Sequence, residues 1–162
     1  MRQTALFSLA LWLCAGPASA ETACSGLAWN LDGEHSRMSG LSEIIPSGSN
    51  LADRPQSVFT LALRRDAPLP VASQRPVDPA KFSGFVIVSI PSTGDYFISL
   101  SPEGWIDAVQ NGQAVDSIAH TGDPDCPGLR KSVRFTLSAS PLTLEISNAA
   151  SDHIVVAVTA AH

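Results

Sequence analysis

The chain is poor in the features that usually announce a function. Only three of its 162 residues are cysteine and no two stand as C-x-x-C, which argues against a thioredoxin-like redox centre. It has no G-x-S-x-G elbow, no H-E-x-x-H pair and no glycine-rich phosphate loop. The local signatures of α/β-hydrolases, zinc proteases and P-loop enzymes are therefore missing. Positive charge is scarce: ten Lys and Arg stand against fifteen Asp and Glu, a net −5. Arg130, Lys131 and Arg134 cluster, but there is no basic stripe. The phosphate-neutralising cations that nucleic acid or an anionic membrane surface requires are not there, so neither is an expected partner. No stretch keeps a sustained helical period.

What is present begins with MRQTALFSLALWLCAGPASA. Arg2 supplies a positive start, Ala5 to Gly16 form an apolar run, Pro17 breaks it, and Ala18-Ser19-Ala20 is a small-residue cleavage site. This is the anatomy of a secretory signal peptide over residues 1–20, too short for a stable membrane anchor. Trp12-Leu13 before Cys14 does not fit the small residues that lipoprotein processing needs. Cleavage after Ala20 is expected, leaving one exported domain over residues 21–162, periplasmic or secreted, with no later segment apolar enough to span a membrane. Roughly 140 residues suffice for a single domain with a core of its own. Without Arg2 that domain carries nine cations against fifteen carboxylates.

Loss of Cys14 with the leader leaves Cys24 and Cys126, and two thiols in an oxidising compartment allow one pairing. The expected disulfide closes a loop of about 100 residues and contributes up to about 5 kcal/mol on the chain-entropy model. Cys126 lies in HTGDPDCPGLRK, residues 120–131. Asp123-Pro124-Asp125 and Pro127-Gly128 are turn chemistry. Calcium could use Asp123 and Asp125, but the twelve-residue loop with its terminal glutamate is absent. His120 has no histidine at i+2 or i+4, and His35, His153 and His162 are scattered. The favoured reading is a disulfide-anchored turn, with neither metal nor cofactor. The Arg130, Lys131, Arg134 cluster either binds a small anion or neutralises acidic neighbours.

The remainder reads as strands: 57–63, 85–90, 95–101, 104–110, 113–120, 131–138, 141–147 and 153–160. Phe59, Leu61 and Leu63 fall on one face, as do Val133, Phe135 and Leu137, and Leu142, Leu144 and Ile146. FVIVSI (85–90) is a continuous run of the fully buried kind. Regular spacing with Gly, Pro, Asn and Asp between the segments predicts an all-β fold, an antiparallel β-sandwich of about eight strands resembling a jelly roll. Residues 66–80, with four prolines and no periodicity, read as an extended surface connection.

VQNGQAV (109–115) is the most informative local signal. Asn111-Gly112 predicts a type I′ hairpin whose two-residue loop fixes the register. Continued to its ends, that register sets Asp107 opposite Asp116, Trp105 opposite Ile118 and Glu103 opposite His120, all on one face. Ile106, Ala108, Val115 and Ala119 then share the other face. Directly opposed carboxylates repel, so a cation such as Arg134, a metal ion, a shared proton or solvent should compensate. An indole beside carboxylates and a histidine also matches how β-sandwich modules hold sugars. Equally, Trp105 with Val109 and Ile118 could belong to the core. Glu103 and Asp107 are about 13 Å apart along a strand, too far to share one ion.

The motifs AWNLDGE (28–34), KFSGFV (81–86), GDYFISLSPEGWIDAV (94–109) and DCPGLRKSVRF (125–135) together resemble a family of small exported proteobacterial proteins. The resemblance spans most of the chain after the leader. It implies an exported all-β domain. Some members of that family carry the name homogentisate 1,2-dioxygenase, an activity that uses an iron held by two histidines and a glutamate. The leading expectation is a non-enzymatic exported module that binds a small ligand or another exported protein, with Trp105, Asp107, Asp116, Glu103 and His120 as its candidate face. Alternatives are a metal-dependent oxygenase or hydrolase using His120 with nearby acids, and a structural component of the envelope.

Overall fold

Wherever apolar residues alternate with polar ones, a strand forms with one face turned inward. The computed structural model describes Cys24, residues 26–53 and residues 57–161. The leader, its Cys14 and the expected cleavage point after Ala20 lie outside the described residues. In chain order the elements are α1 (Asp32–Met38), β1 (Ile44–Pro46), β2 (Ser49–Asn50), β3 (Val58–Ala62), β4 (Phe82–Val88), β5 (Gly94–Ser101), β6 (Trp105–Gln110), β7 (Gln113–Val115), β8 (Ser117–Gly122), β9 (Lys131–Leu137), β10 (Leu142–Ala149) and β11 (His153–Ala160).

They form a sandwich of two mixed sheets. One runs β1-β3-β11-β5-β9-β8 and the other β2-β4-β10-β6-β7. All eight predicted segments are strands, but the total is eleven rather than about eight. The segment 113–120 divides into β7 and β8 on different sheets, and β1 and β2 are additional. Those two are also the exceptions to antiparallel pairing, since β1 runs parallel to β3 and β2 parallel to β4. At three and two residues they are too short to show any period.

The core lies between the sheets and takes the inward residue of each alternating pair. Phe59 and Leu61, Ile98 and Leu100, Phe135 and Leu137, and Leu142, Leu144 and Ile146 are all fully buried there. Burying each such side chain contributes about 1.5–3 kcal/mol. FVIVSI departs from expectation: Val86, Val88 and Ile90 are buried, while Phe85 and Ile87 are only half-buried. Gly84 in β4 is required by a close approach, because a Cβ there would lie 2.6 Å from Ser47 Oγ and 2.9 Å from Leu63 Cδ2.

A second, smaller core covers the outer face of the six-stranded sheet. α1 is a two-turn helix with Asp32 and Glu34 in its first turn and Arg37 in its last, matching the helix dipole. Leu31 and Met38 bury against Leu129 and Ala157, and Trp29 stacks on Phe97 with ring centroids 5.4 Å apart. Cys24 and Cys126 form the expected disulfide, which ties this layer to the turn before β9. Asp123 organises that turn: Oδ2 accepts the N–H of Gly26 and Oδ1 that of Asp125, each at 2.9 Å. The carboxylate considered for calcium is thus committed to backbone.

Candidate functional site

The β6–β7 hairpin begins as predicted and then departs from it. Asn111 and Gly112 have φ of 54° and 74°, as a type I′ turn requires. The pairs Gln110–Gln113, Val109–Ala114 and Ala108–Val115 follow in the expected register. Beyond Val115 the two arms separate. β6 stays in the five-stranded sheet, whereas the chain crosses at Asp116 and β8 joins the edge of the other sheet, against β9. The expected oppositions Asp107–Asp116, Trp105–Ile118 and Glu103–His120 are therefore not strand pairs. Asp116 is exposed in the crossing and Ile118 is 54% exposed. A continued hairpin would have set Asp116 directly against Asp107, and opposed carboxylates repel.

Ile106 and Ala108 face the core, and Trp105 and Asp107 face outward. Asp107 is nevertheless only 4% exposed, because residues 66–80 lie across this face as a strap. Ser73 donates its hydroxyl to Asp107 Oδ2 at 2.6 Å, and the Val71 N–H bonds Glu145 Oε1 at 2.8 Å. Asn148, at φ 55°, accepts the N–H of Asp78 and donates to Pro76 O. The prolines suit a segment that runs extended and offers few N–H groups of its own. The true neighbour of Asp107 across the ladder is Glu145 of β10, an acid pair the sequence did not reveal. Glu145 is 1% exposed and its Oε2 has no hydrogen-bond partner among the described residues. Burial pushes its carboxyl above the usual glutamate range, the Val71 N–H partly opposes this, and the Asp107 charge adds to it. Arg134, the expected counter-charge, instead pairs with Asp95, where hydrogen bonds from Thr136 and Arg134 hold the carboxyl below its ordinary value.

Trp105 is half-buried and its place is set from below. Its Nε1–H donates to Asp107 Oδ1 at 2.8 Å. The Arg75 guanidinium lies 4.1 Å from the ring centroid and the Lys131 ammonium 4.8 Å from it, both within cation–π range. Lys131 also donates to Gly104 O at 3.2 Å. A cavity of about 490 Å³ opens beside this indole in the fork between β6 and β8. Four cations line it: Arg75 and Lys81 from the strap side, Arg130 and Lys131 from the start of β9. Glu103, Asp78 and His120 line it as well. Trp105, Glu103 and His120 of the sequence-derived face thus meet at one cavity, Asp107 lies beneath it, and Asp116 is not part of it.

The electrostatics of this cavity run against those of the chain. Among the described residues no carboxylate lies within ion-pair distance of any of the four cations. Lys131 is held below the ordinary lysine range, first by burial and then by the positive charge of Arg75, while Glu103 acts in the opposite sense. Arg75 escaped the sequence reading because an aperiodic Pro-rich stretch gives no sign of which face it covers, and Lys81 because it stands just where that stretch enters β4. Among the described residues, no group of three metal-ligating side chains includes His120. Among the described residues, the one cluster of three donors close enough to share an ion is Cys24, His35 and Cys126, and both thiols there are in the disulfide.

No family model, no curated protein and no solved structure matches this chain, so the resemblance to an exported family rests on the quoted motifs alone.

Proposed function

We propose that the protein is an exported, non-enzymatic binding module that takes a small anionic ligand in the fork between β6 and β8. The observation that carries this reading is the gathering of Arg75, Lys81, Arg130 and Lys131, none ion-paired among the described residues, around one cavity of an acidic chain. Unpaired cations repel one another at a cost that a bound anion removes. A cavity of about 490 Å³ is in the size range of small-molecule sites. Export is inferred from the leader and is consistent with the disulfide.

Tryptophan emission reports on the site directly, because Trp105 borders the cavity. In the chain lacking residues 1–20 and with Trp29 replaced by phenylalanine, Trp105 is the one tryptophan left, and titration with inorganic phosphate, sulfate and citrate should give a saturable change for at least one anion. Lys131→Ala and Arg75→Ala should each weaken that binding by about tenfold, the usual loss of one charge-assisted contact. If no anion saturates the signal, or both variants bind as the parent does, the reading is wrong.

A further inference from the structure

Resting on the anion-binding reading above, we infer that the ligand is a polyhydroxylated small molecule carrying two negative charges, such as a sugar phosphate or a sugar dicarboxylate. Two observations lead there. The cavity lining holds four cations and two carboxylates, Asp78 and Glu103, an excess of two positive charges in the lining itself, while Asp107 beneath it is already taken up by the Trp105 and Ser73 donors. A monoanion cancels half of that excess and a dianion all of it. Burial first, and then the charges of Arg75 and Arg130, lower the Lys131 pKa, and a dianion offsets that repulsion more than a monoanion does.

The second observation is the wall that remains once the cations are set aside. Asp78 commits Oδ1 to the N–H of Ala80, and Oδ2 has no hydrogen bond among the described residues. Glu103 and His120 line the cavity with exposed side chains. Carboxylates at a cationic site repel a bare anion, yet they accept hydrogen bonds from hydroxyl groups. A ligand whose anionic end meets Lys131 and Arg130 while its hydroxyls face Asp78 and Glu103 uses both kinds of wall. Trp105 is not a free stacking platform here, because Arg75 and Lys131 already lie against its ring.

The test is calorimetric titration of the disulfide-bonded protein at pH 7.5 with five compounds that separate charge from hydroxyl content. Glucose 6-phosphate is a polyhydroxylated dianion at this pH, since phosphate monoesters lose their second proton near pH 6. Galactarate is the corresponding dicarboxylate, gluconate the monoanion, succinate the dianion without hydroxyls, and glucose the neutral control. Glucose 6-phosphate or galactarate should bind with one-to-one stoichiometry, with gluconate and succinate each at least about tenfold weaker and glucose giving no saturable heat. The stronger of the first two distinguishes phosphate from carboxylate. Glu103→Gln should weaken the hydroxylated dianion but not succinate, and equal weakening of both would overturn the role given to Glu103. Gluconate equal to the dianions would overturn the two-charge inference while leaving the anion site standing. Succinate equal to them would overturn the hydroxyl inference. Failure of every charged compound would remove the anion site and this inference with it.

Discussion

Replacing Asp107 by alanine tests the arrangement beneath the cavity. The carboxylate accepts the Trp105 Nε1–H at 2.8 Å and the Ser73 hydroxyl at 2.6 Å, and it is nearly inaccessible to water. Hydrogen bonds to a charged group contribute about 1.5–3 kcal/mol each, and the donors left behind lose their partner in a place water does not readily reach. Relief of the repulsion between Asp107 and Glu145, opposed across the β6–β10 ladder, offsets part of that loss. The net should be a destabilisation of about 3 kcal/mol. For a domain of this size the melting temperature falls by roughly 10 °C. Urea unfolding followed by circular dichroism measures the first quantity and a thermal scan the second. Ser73→Ala alone should cost about 1.5–3 kcal/mol, and the double mutant should show a coupling of about 1–2 kcal/mol, as expected of residues in direct contact. The emission of Trp105 should shift to the red as its ring loosens. A loss below about 1 kcal/mol, or additive single effects, would mean that the strap is held by something other than this carboxylate.

Three other perturbations have defined outcomes. Glu145 has its pKa raised above the ordinary 4.5 by burial, so the folded state holds that proton more tightly than the unfolded chain. Its favourable contribution is complete below that ordinary value and is lost as pH rises toward the folded value. Glu145→Gln should therefore gain stability relative to the parent as pH rises from the ordinary 4.5 toward the folded value, read as urea midpoints, and the opposite trend would refute the assignment. Reduction of the Cys24–Cys126 disulfide, which spans 102 residues, should cost about 4 kcal/mol; an unchanged melting temperature in reductant would contradict it. Gly84→Ala should cost about 1–3 kcal/mol, because its Cβ would press on Leu63 and Ser47, and a neutral substitution would show that β4 has room to move.

Of the eight strand segments, 57–63, 131–138 and 141–147 were legible from a period of two, 85–90 from its apolar run, and the rest from the turn residues between them. The disulfide was legible because the expected loss of Cys14 with the leader leaves two cysteines with a single way to pair. β1 and β2 were not, since two or three residues paired in parallel with a distant strand leave no local pattern. The NG turn fixed the register of three residue pairs, yet nothing in a turn states how far its arms stay zipped. The crossing at Asp116 is set by where β9 lies, a long-range fact. The acid pair escaped for a related reason. In PLTLEIS the leucines and the isoleucine mark the inward face, which leaves Glu145 on the outward one, and only the strap buries it. Of the five residues read as a binding face, Trp105, Glu103 and His120 do meet at one cavity. They meet across a fork between two sheets, not across a ladder, and the cations that define the site come from elsewhere in the chain.

The order of the strands bears on how such a chain reaches its compartment. β10 lies between β4 and β6 in one sheet, and β11 between β3 and β5 in the other. Neither sheet has its middle until the last two strands of the chain are available. A nascent chain emerging from a ribosome therefore cannot bury its core early, however long it waits. For a chain threaded unfolded through an export channel, as proposed here, this late closure delays folding at least until residues 142–160 have been synthesised. A chain stopped before residue 142 would lack the centre of both layers, so truncation should leave no stable remnant to accumulate.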